Sequence, residues 1–191
     1  MSDQTFSKSC ESPAAAEAER EGHKALAAGF GVHHNLRIPA IHPSSDSGTE
    51  IVMDKCVISR PTQSYWKKLG TELASLHKNV ISPHEGQFGL GFDNYCGAGL
   101  QPNAWSDNWG EFFLKHRLMA QAERIEDETK RAAWIARFEQ VGPVIVEFLN
   151  WHKPVASLVH GDLWSGNALC GEGGEPWLID PAHYYGDREV D

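Results

Sequence analysis

The segment 157–191 constrains the fold of this chain more than any other part of it. Two short apolar runs, residues 168–170 and 177–179, flank a polar, glycine-rich turn. Apolar runs joined by such a turn predict a β-hairpin. Asn167 directly precedes the first run and Asp180 directly follows the second. We therefore expect both side chains at the end where the two strands open.

The predicted register of this hairpin pairs Ala168 with Ile179. It places Asn167 opposite Asp180, and directly opposed residues lie about 5 Å apart at Cα. An amide oxygen and a carboxylate at that separation can share one divalent cation. Magnesium is the natural candidate because it prefers oxygen ligands and uses few protein carboxylates in phosphoryl-transfer sites.

A third polar residue, Asp162, lies on the same loop, five residues before Asn167. Its carboxylate is predicted to accept a proton from a bound hydroxyl. An aspartate base, a metal-binding asparagine and a later metal-binding aspartate form, in this order, the catalytic arrangement of kinases. The competing interpretation is that Asp162, Asn167 and Asp180 are turn-forming residues beside a surface hairpin. That interpretation leaves their order and spacing unexplained.

Composition limits the remaining classes of protein. The chain has 191 residues, with 17 Lys and Arg against 26 Asp and Glu, and a formal net charge of -9. This length allows one domain or two small lobes, and 41% hydrophobic residues are typical of folded chains. The acidic balance and the lack of Lys/Arg clusters argue against nucleic-acid or membrane partners. A phosphate-bearing ligand therefore needs a metal ion or a local cation.

Targeting and cysteine patterns are plain. The N-terminus is polar, without the apolar core of a signal peptide, and no apolar run approaches the length of a membrane span, about 18 residues. The four cysteines are far apart and form no CxxC pair, which argues against a zinc ribbon or a disulfide framework. We expect a reduced, cytoplasmic protein.

Helix and strand patterns in the first half are short. Ser12 and Pro13 predict the start of a helix that runs to Ala28, with Gly29 just past its end. Residues 50–53 form an apolar run that predicts a strand. A helix is predicted over residues 64–78, where apolar side chains recur every three or four positions and should share one buried face; they are Trp66, Leu69, Leu73 and Leu76.

The second half is expected to be more helical. Residues 83–102 are rich in glycine, asparagine and aromatic residues and predict an ordered loop or turns. Ser106 is a candidate N-cap for a helix whose aromatic residues join the core; these are Trp109, Phe112 and Phe113. A longer helix is predicted over residues 129–152, with one apolar side and a kink or break at Pro143.

The motifs then resemble a known family. HGDLWSGN at 160–167 and IDPAHYYGDREVD at 179–191 are similar to the fructosamine kinase (ketosamine-3-kinase) family, as are FGLGFDN at 88–94 and QPNAWSDNWGEFF at 101–113. The family is related to aminoglycoside phosphotransferases. The resemblance implies an α/β (α+β) protein-kinase-like fold with two lobes: an incomplete nucleotide-binding lobe over residues 1–60, and a mostly helical catalytic lobe over residues 61–191 that carries the hairpin.

The resemblance also implies roles. Asp162 is the catalytic base, and Asn167 and Asp180 bind Mg²⁺. Lys8 and Glu19 look like the strand lysine and helix glutamate that bind nucleotide in this fold, because a lysine neutralises ATP phosphates while a carboxylate holds it. The implied reaction is ATP-dependent phosphorylation of a ketoamine sugar hydroxyl, as in fructosamine or ribulosamine 3-kinases that act in protein deglycation. The ketoamine is a glycated small amine or protein lysine.

Alternatives remain open at this point. Glu17 and Glu21 compete with Glu19 for the lysine partner, and Lys8 with Glu19 could be ordinary surface residues. A kinase-like fold expects a glycine-rich phosphate cover before the lysine, and family chains continue beyond Asp191, so we expect a chain trimmed at both ends. Two further hypotheses follow: a catalytically inactive kinase-like binding module, or a kinase for an aminoglycoside-like or choline-like amine.

Supporting residues are also predicted. His160 is expected to shape the loop by packing and backbone hydrogen bonds rather than to act as a base. Asp187 and Asp191 are expected to accept hydrogen bonds from the backbone.

Overall fold

A small antiparallel sheet begins the chain in this computed structural model, which describes residues 4–31, 34–44 and 48–191. Its strands are β1 (Thr5–Ser9), β2 (Ile41–His42) and β3 (Glu50–Asp54), in the order β1-β3-β2. The predicted strand at 50–53 is therefore confirmed. Ile51 and Met53 of β3 are buried against Ala16 of the first helix, because alternate strand residues share one face.

Helix α1 (Pro13–Phe30) packs on this sheet. Its start is as predicted: Ser12 Oγ accepts a hydrogen bond from the Ala15 N–H at 3.1 Å. The helix continues two residues past the predicted end and stops at Gly31, which has φ 73°. Gly29 does not end the helix, because its missing side chain serves packing: a Cβ there would lie 2.8 Å from Leu76 Cδ1.

Helix α2 (Gln63–Asn79) confirms the predicted helix over 64–78. Leu69 and Leu76 are buried as expected, but Trp66 is 55% exposed, so its assignment to the buried face is wrong. Tyr65 takes its place, since it is buried and its hydroxyl donates to the Ala168 carbonyl at 2.8 Å. Tyr65 thereby joins α2 to the C-terminal hairpin.

The region predicted as a loop over 83–102 contains a second hairpin. Strands β4 (Asn94–Cys96) and β5 (Gly99–Gln101) pair antiparallel, so the loop prediction is wrong there. Three-residue strands are too short to produce a periodic pattern. Helix α3 (Trp109–Phe113) follows, capped by Asn108 rather than Ser106: Asn108 Oδ1 accepts from the Glu111 N–H at 2.9 Å.

The remaining helices extend from α3. A π-helical stretch (Leu114–Met119) leads through α4 (Ala120–Ala122) to the long helix α5 (Glu128–Asn150). Pro143 lies inside α5 without ending it. The predicted apolar side is mostly half-buried, but Trp134 and Phe148 on it are 49% and 70% accessible. The predicted aromatic core is confirmed for Trp109 and Phe112, which are buried with Tyr184.

The C-terminal strands form two ladders beside this core. Strand β6 (Ser157–Val159) pairs with β9 (Tyr184–Gly186), and β7 (Ala168–Cys170) pairs with β8 (Pro176–Leu178). The loops that join these strands carry the three polar residues singled out above. Among the described residues, no helix is both long and apolar enough to cross a membrane.

Candidate active site

The C-terminal hairpin forms with a register one residue away from the predicted one. Ala168 pairs with Leu178, and the Ile179 N–H donates to the Asn167 carbonyl at 3.1 Å. Asp180 therefore lies one residue beyond the position opposite Asn167. Asp180 has φ 55°, a left-handed conformation that ends the extended chain and redirects it. Both side chains still line one cavity.

Asn167 is tied to Asp162 through its side-chain amide. Its Nδ2 donates to the Asp162 backbone carbonyl at 2.8 Å and to Asp162 Oδ2 at 3.1 Å. The side chain is buried, and these bonds fix which end of the amide points toward Asp162. The carbonyl oxygen Oδ1 is then the atom that can bind a cation, since an amide nitrogen cannot.

His160 shapes the loop that carries Asp162, as the sequence predicts. Its ring is fully buried, Nδ1 accepts the Asp162 N–H at 3.3 Å, and Nε2 lies 2.8 Å from the Ile179 carbonyl. Accepting at Nδ1 places the proton on Nε2, which donates to Ile179. Burial lowers the pKa of this imidazole despite nearby carboxylates, so the ring is neutral.

Asp191 holds the same loop from the other side. Its buried carboxylate accepts from the His160 N–H at 2.8 Å and the Gly161 N–H at 3.0 Å. His77 Nε2 lies 3.0 Å from the same carboxylate. Asp187 accepts the Glu189 N–H at 3.2 Å. Both aspartates bond to the backbone, as the sequence predicts.

Lys8 connects the N-terminal sheet to Asp180, just after the β7–β8 hairpin. Its Nζ lies 2.8 Å from Glu19 Oε2 and 3.0 Å from Asp180 Oδ1. Glu17 and Glu21 instead pair with Arg20 and Lys24. Of the three candidate glutamates, Glu19 is therefore the one beside Lys8.

Burial and charge act against each other in this ion pair. Burial is the largest influence on Lys8 and lowers its pKa, but the carboxylates of Glu19 and Asp180 outweigh it and the pKa is raised. Burial also raises the pKa of Glu19, in spite of Lys8. The lysine is thus fully charged, which suits it to bind phosphates.

One cavity of about 480 Å³ contains all five side chains that the sequence singled out. They are Lys8, Glu19, Asp162, Asn167 and Asp180. The donor set of Asn167 and Asp180 consists of oxygens and fits a hard cation such as Mg²⁺. Lys8 engages Oδ1 of Asp180, so Oδ2 is the oxygen that would bind the metal.

Sequence analysis missed the opposite wall of the cavity. Asn94, Tyr95 and Ala98 of the β4–β5 hairpin line it, as does Trp164, which is 62% exposed. Asn94 belongs to a buried cluster of amide side chains with Gln101 and Asn103. The only signal in the sequence is the density of amide residues between aromatic ones at 92–105, which carries no period.

The site and the fold together define the class of protein. A strand lysine paired with a helix glutamate faces a loop with aspartate and asparagine and a later aspartate, and this arrangement is that of the protein-kinase-like fold. A crystal structure of a candidate fructosamine-3-kinase from Haemophilus somnus 129PT superposes with a TM-score of 0.77 at 23% identity, over 97% of this chain and 60% of that one. One from Thermobifida fusca YX-ER1 gives 0.72 at 24%, over 97% and 62%.

Sequence comparison then identifies the family. The profile of the fructosamine kinase family matches residues 6–191, and the chain belongs to this family. A probable ketoamine kinase from Synechocystis is 38% identical over 177 residues, 92% of this chain and 57% of the relative. One from Escherichia coli K12 is 40% identical over 123 residues, 64% of this chain and 41% of the relative. The chain spans less than two thirds of these relatives' length.

Proposed function

We propose that the protein transfers the γ-phosphoryl group of ATP to a sugar hydroxyl of a ketoamine. The single observation that carries this proposal is the meeting of Lys8, Glu19, Asp162, Asn167 and Asp180 in one cavity. These residues come from two distant parts of the chain, 8–19 and 162–180. The ketoamine acceptor is supported by the names of the relatives, which are probable ketoamine kinases.

The nucleotide side of the cavity contains Lys8, Glu19 and Asp180. Glu19 orients the lysine at 2.8 Å, and the lysine charge attracts the phosphates of ATP. Asn167 Oδ1 and Asp180 Oδ2 would hold Mg²⁺, which when bound offsets the negative charge of the phosphates. We assign residues 1–60 to the nucleotide-binding lobe and residues 61–191 to the catalytic lobe.

The acceptor side contains Asp162. Asn167 donates to Asp162 Oδ2 at 3.1 Å, which fixes the carboxylate so that one oxygen can receive a hydrogen bond from the acceptor hydroxyl. The carboxylate takes that proton as the hydroxyl oxygen bonds to phosphorus and the bond to ADP breaks. Trp164, exposed beside Asp162, offers an aromatic face for a sugar ring or an amine. Fructosyl and ribulosyl amines both have suitable hydroxyls.

Phosphate transfer to a defined acceptor tests this proposal. The protein is incubated with Mg²⁺ and radiolabelled ATP, with fructosyl-lysine or ribulosyl-lysine as the acceptor. We expect labelled sugar phosphate, and a turnover reduced by about 10³-fold in Asp162→Asn, because the general base is lost. Nucleotide affinity should change by less than about threefold. Asp107→Asn, a change outside the cavity, is the control, and equal turnover in Asp162→Asn would refute the assignment.

A binding module without turnover is the second candidate. The observation that favours it is a row of exposed apolar side chains on and after α5, where Val144, Phe148 and Trp151 are 68%, 70% and 75% accessible. Exposed apolar patches of this kind mark interaction surfaces. If the protein is such a binding module, no acceptor is phosphorylated. If an aminoglycoside-like or choline-like amine is phosphorylated and ketoamines are not, the protein is a kinase for that amine.

A further inference from the structure

Two amide side chains of the β4–β5 hairpin bind the backbone just after Asp180. Asn94 Nδ2 donates to the His183 carbonyl at 2.7 Å, and Gln101 Nε2 donates to the Ala182 carbonyl at 3.1 Å. Both side chains are buried, with 1% and 5% exposure. The hairpin is thus attached to residues 182–183 by hydrogen bonds that water does not reach.

The orientation of these amides is fixed by their neighbours. Asn94 Oδ1 accepts from Gln101 Nε2 and from Asn103 Nδ2, each at 2.8 Å. Arg117 Nη2 in turn donates to Asn103 Oδ1 at 2.7 Å. Every amide in this chain of bonds therefore has a defined donor end and acceptor end, and a buried network satisfied in this way is rigid.

The segment that the amides hold is the point where the two halves of the candidate site touch. The Ala182 N–H donates to the His160 carbonyl at 3.0 Å. Gly161, with φ 83°, lies so close that a Cβ would be 2.2 Å from the Ala182 carbonyl oxygen. Asp180 lies two residues before this contact and Asp162 one residue after Gly161. A displacement of Ala182 would therefore move both carboxylates.

We propose that Asn94 and Gln101 are positioning residues: an amide clamp that holds Ala182 and His183 so that Asp162 and Asp180 keep their separation across the cavity. The inference rests on the proposed function, because it concerns the metal ligand and the base assigned there. The clamp also ties the cavity wall formed by Tyr95 and Ala98 to the metal side. The β4–β5 hairpin then fixes the positions of both the proposed acceptor site and the proposed metal site.

If Asn94 and Gln101 had a purely structural role, their loss would affect stability alone. The test therefore compares them with another asparagine whose amide hydrogen bonds lie away from the cavity. Gln101→Met removes the bond to Ala182 together with the bond to Asn94 Oδ1. Asn94→Leu removes the bond to His183. Asn150→Leu is the control: Asn150 makes similar amide bonds, to Asn108 Oδ1 at 2.7 Å and from the Gly110 N–H at 3.2 Å, and it does not line the cavity.

Two measurements are made on each folded variant. Hydrogen exchange followed by mass spectrometry reports on peptides covering residues 178–186. Mn²⁺ binding in the presence of ATP, followed by electron paramagnetic resonance, reports on the metal ligands without turnover. We expect Gln101→Met to speed exchange in these peptides and to weaken Mn²⁺ binding, each by about tenfold, the size expected when the buried hydrogen bond to the Ala182 carbonyl is lost. Asn150→Leu should change neither by more than about twofold.

The outcomes separate the two proposals. If wild-type protein binds no Mn²⁺ with ATP, the proposed function fails, while exchange at residues 178–186 still decides whether the clamp holds this segment. If wild-type protein binds Mn²⁺ and Gln101→Met behaves like Asn150→Leu in both measurements, the clamp is refuted. Asn94→Leu takes away the donor to the His183 carbonyl and the oxygen that Gln101 and Asn103 share, so should it fail to fold, Gln101→Met alone decides the question.

Discussion

The loop 160–167 and the β4–β5 hairpin line the same cavity, but the hydrogen bonds that hold them span very different distances along the chain. Asn167 binds Asp162 five positions away, and the Asp162 N–H binds His160 two positions away. The β4–β5 hairpin is instead held by contacts across 89 positions, from Asn94 to His183. Asp162, Asn167 and Asp180 thus lie within one short stretch of chain, whereas Lys8 and the β4–β5 hairpin reach them through long-range contacts.

The largest effect on stability is expected from Asp191, which holds the loop 160–167 from about 30 positions away. Asp191→Ala removes the buried acceptor for the N–H groups of His160 and Gly161. Two buried donors without partners should lower the free energy of unfolding by about 4 kcal/mol. Urea denaturation measures this, with the exposed neighbour Glu189→Ala expected to change it by less than about 0.5 kcal/mol. A loss below about 1 kcal/mol for Asp191→Ala would mean that the loop is held locally.

A second change tests the close contact between Gly161 and Ala182. Gly161→Ala introduces a Cβ at φ 83°, 2.2 Å from the Ala182 carbonyl oxygen. We expect a loss of about 3 kcal/mol in stability from backbone conformation and steric overlap together. Gly174→Ala is the matched control, since Gly174 has φ 75° with no atom within 4 Å of a Cβ, and should cost about 1 kcal/mol. Equal losses in thermal or urea unfolding would show that the close approach carries no energy.

These differences explain which parts of the site can be predicted from sequence. The sequence predicts a hairpin that fixes the approximate spacing of Asp162, Asn167 and Asp180. The predicted register differs from the observed one by one residue, and nothing in the sequence indicates the positive φ of Asp180. Lys8 can be matched to Glu19 by resemblance alone, since nothing local distinguishes Glu19 from Glu17 or Glu21.

The rest of the fold could not be predicted for physical reasons. Gly29 has the sequence pattern of a helix end, but its role is to admit Leu76 of another helix. Trp66 fits the apolar period of α2, yet Tyr65 is buried because its hydroxyl finds the Ala168 carbonyl. Such choices depend on partners far along the chain, which periodicity does not contain.

A third, smaller effect concerns the pH dependence of stability. His23 in α1 and His183 after Asp180 are buried, and burial is the main cause that lowers the pKa of each imidazole from 6.5 to about 4. The unfolded chain therefore binds these protons first as the pH falls. Stability should be intact above about pH 6.5 and decline toward pH 4, by about 2 kcal/mol per histidine between pH 7 and pH 5.

The pH prediction is checked by urea unfolding at a series of pH values. His183→Leu should remove one histidine's share of the decline, so that its stability varies less between pH 7 and pH 5 than that of the wild type. His84→Leu is the control, because His84 is exposed and should leave the slope unchanged. The same slope in wild type and His183→Leu would contradict the linkage.

The smallest effect is expected from a local contact. Ser12→Ala removes the oxygen that accepts the Ala15 N–H at the start of α1. Loss of an N-cap costs about 1 kcal/mol. Urea denaturation measures this loss. Ser12→Asp, which keeps an accepting oxygen, should restore most of the stability, and equal stability of Ser12→Ala and the wild type would show that the cap carries no energy.

The central claim is that one cavity binds ATP and Mg²⁺. The side chains that form this site are Lys8, Asp162, Asn167 and Asp180. Melting of the protein with Mg²⁺ and ATP tests it most directly, because a ligand that binds only the folded state raises the melting temperature. At 100 times the Kd we expect about 2.7 kcal/mol of stabilisation, a rise of about 5–10 °C. Asp180→Asn should lose most of this rise, whereas Asp54→Asn should keep it. No rise in the wild type, or an equal rise in Asp180→Asn, would contradict the account.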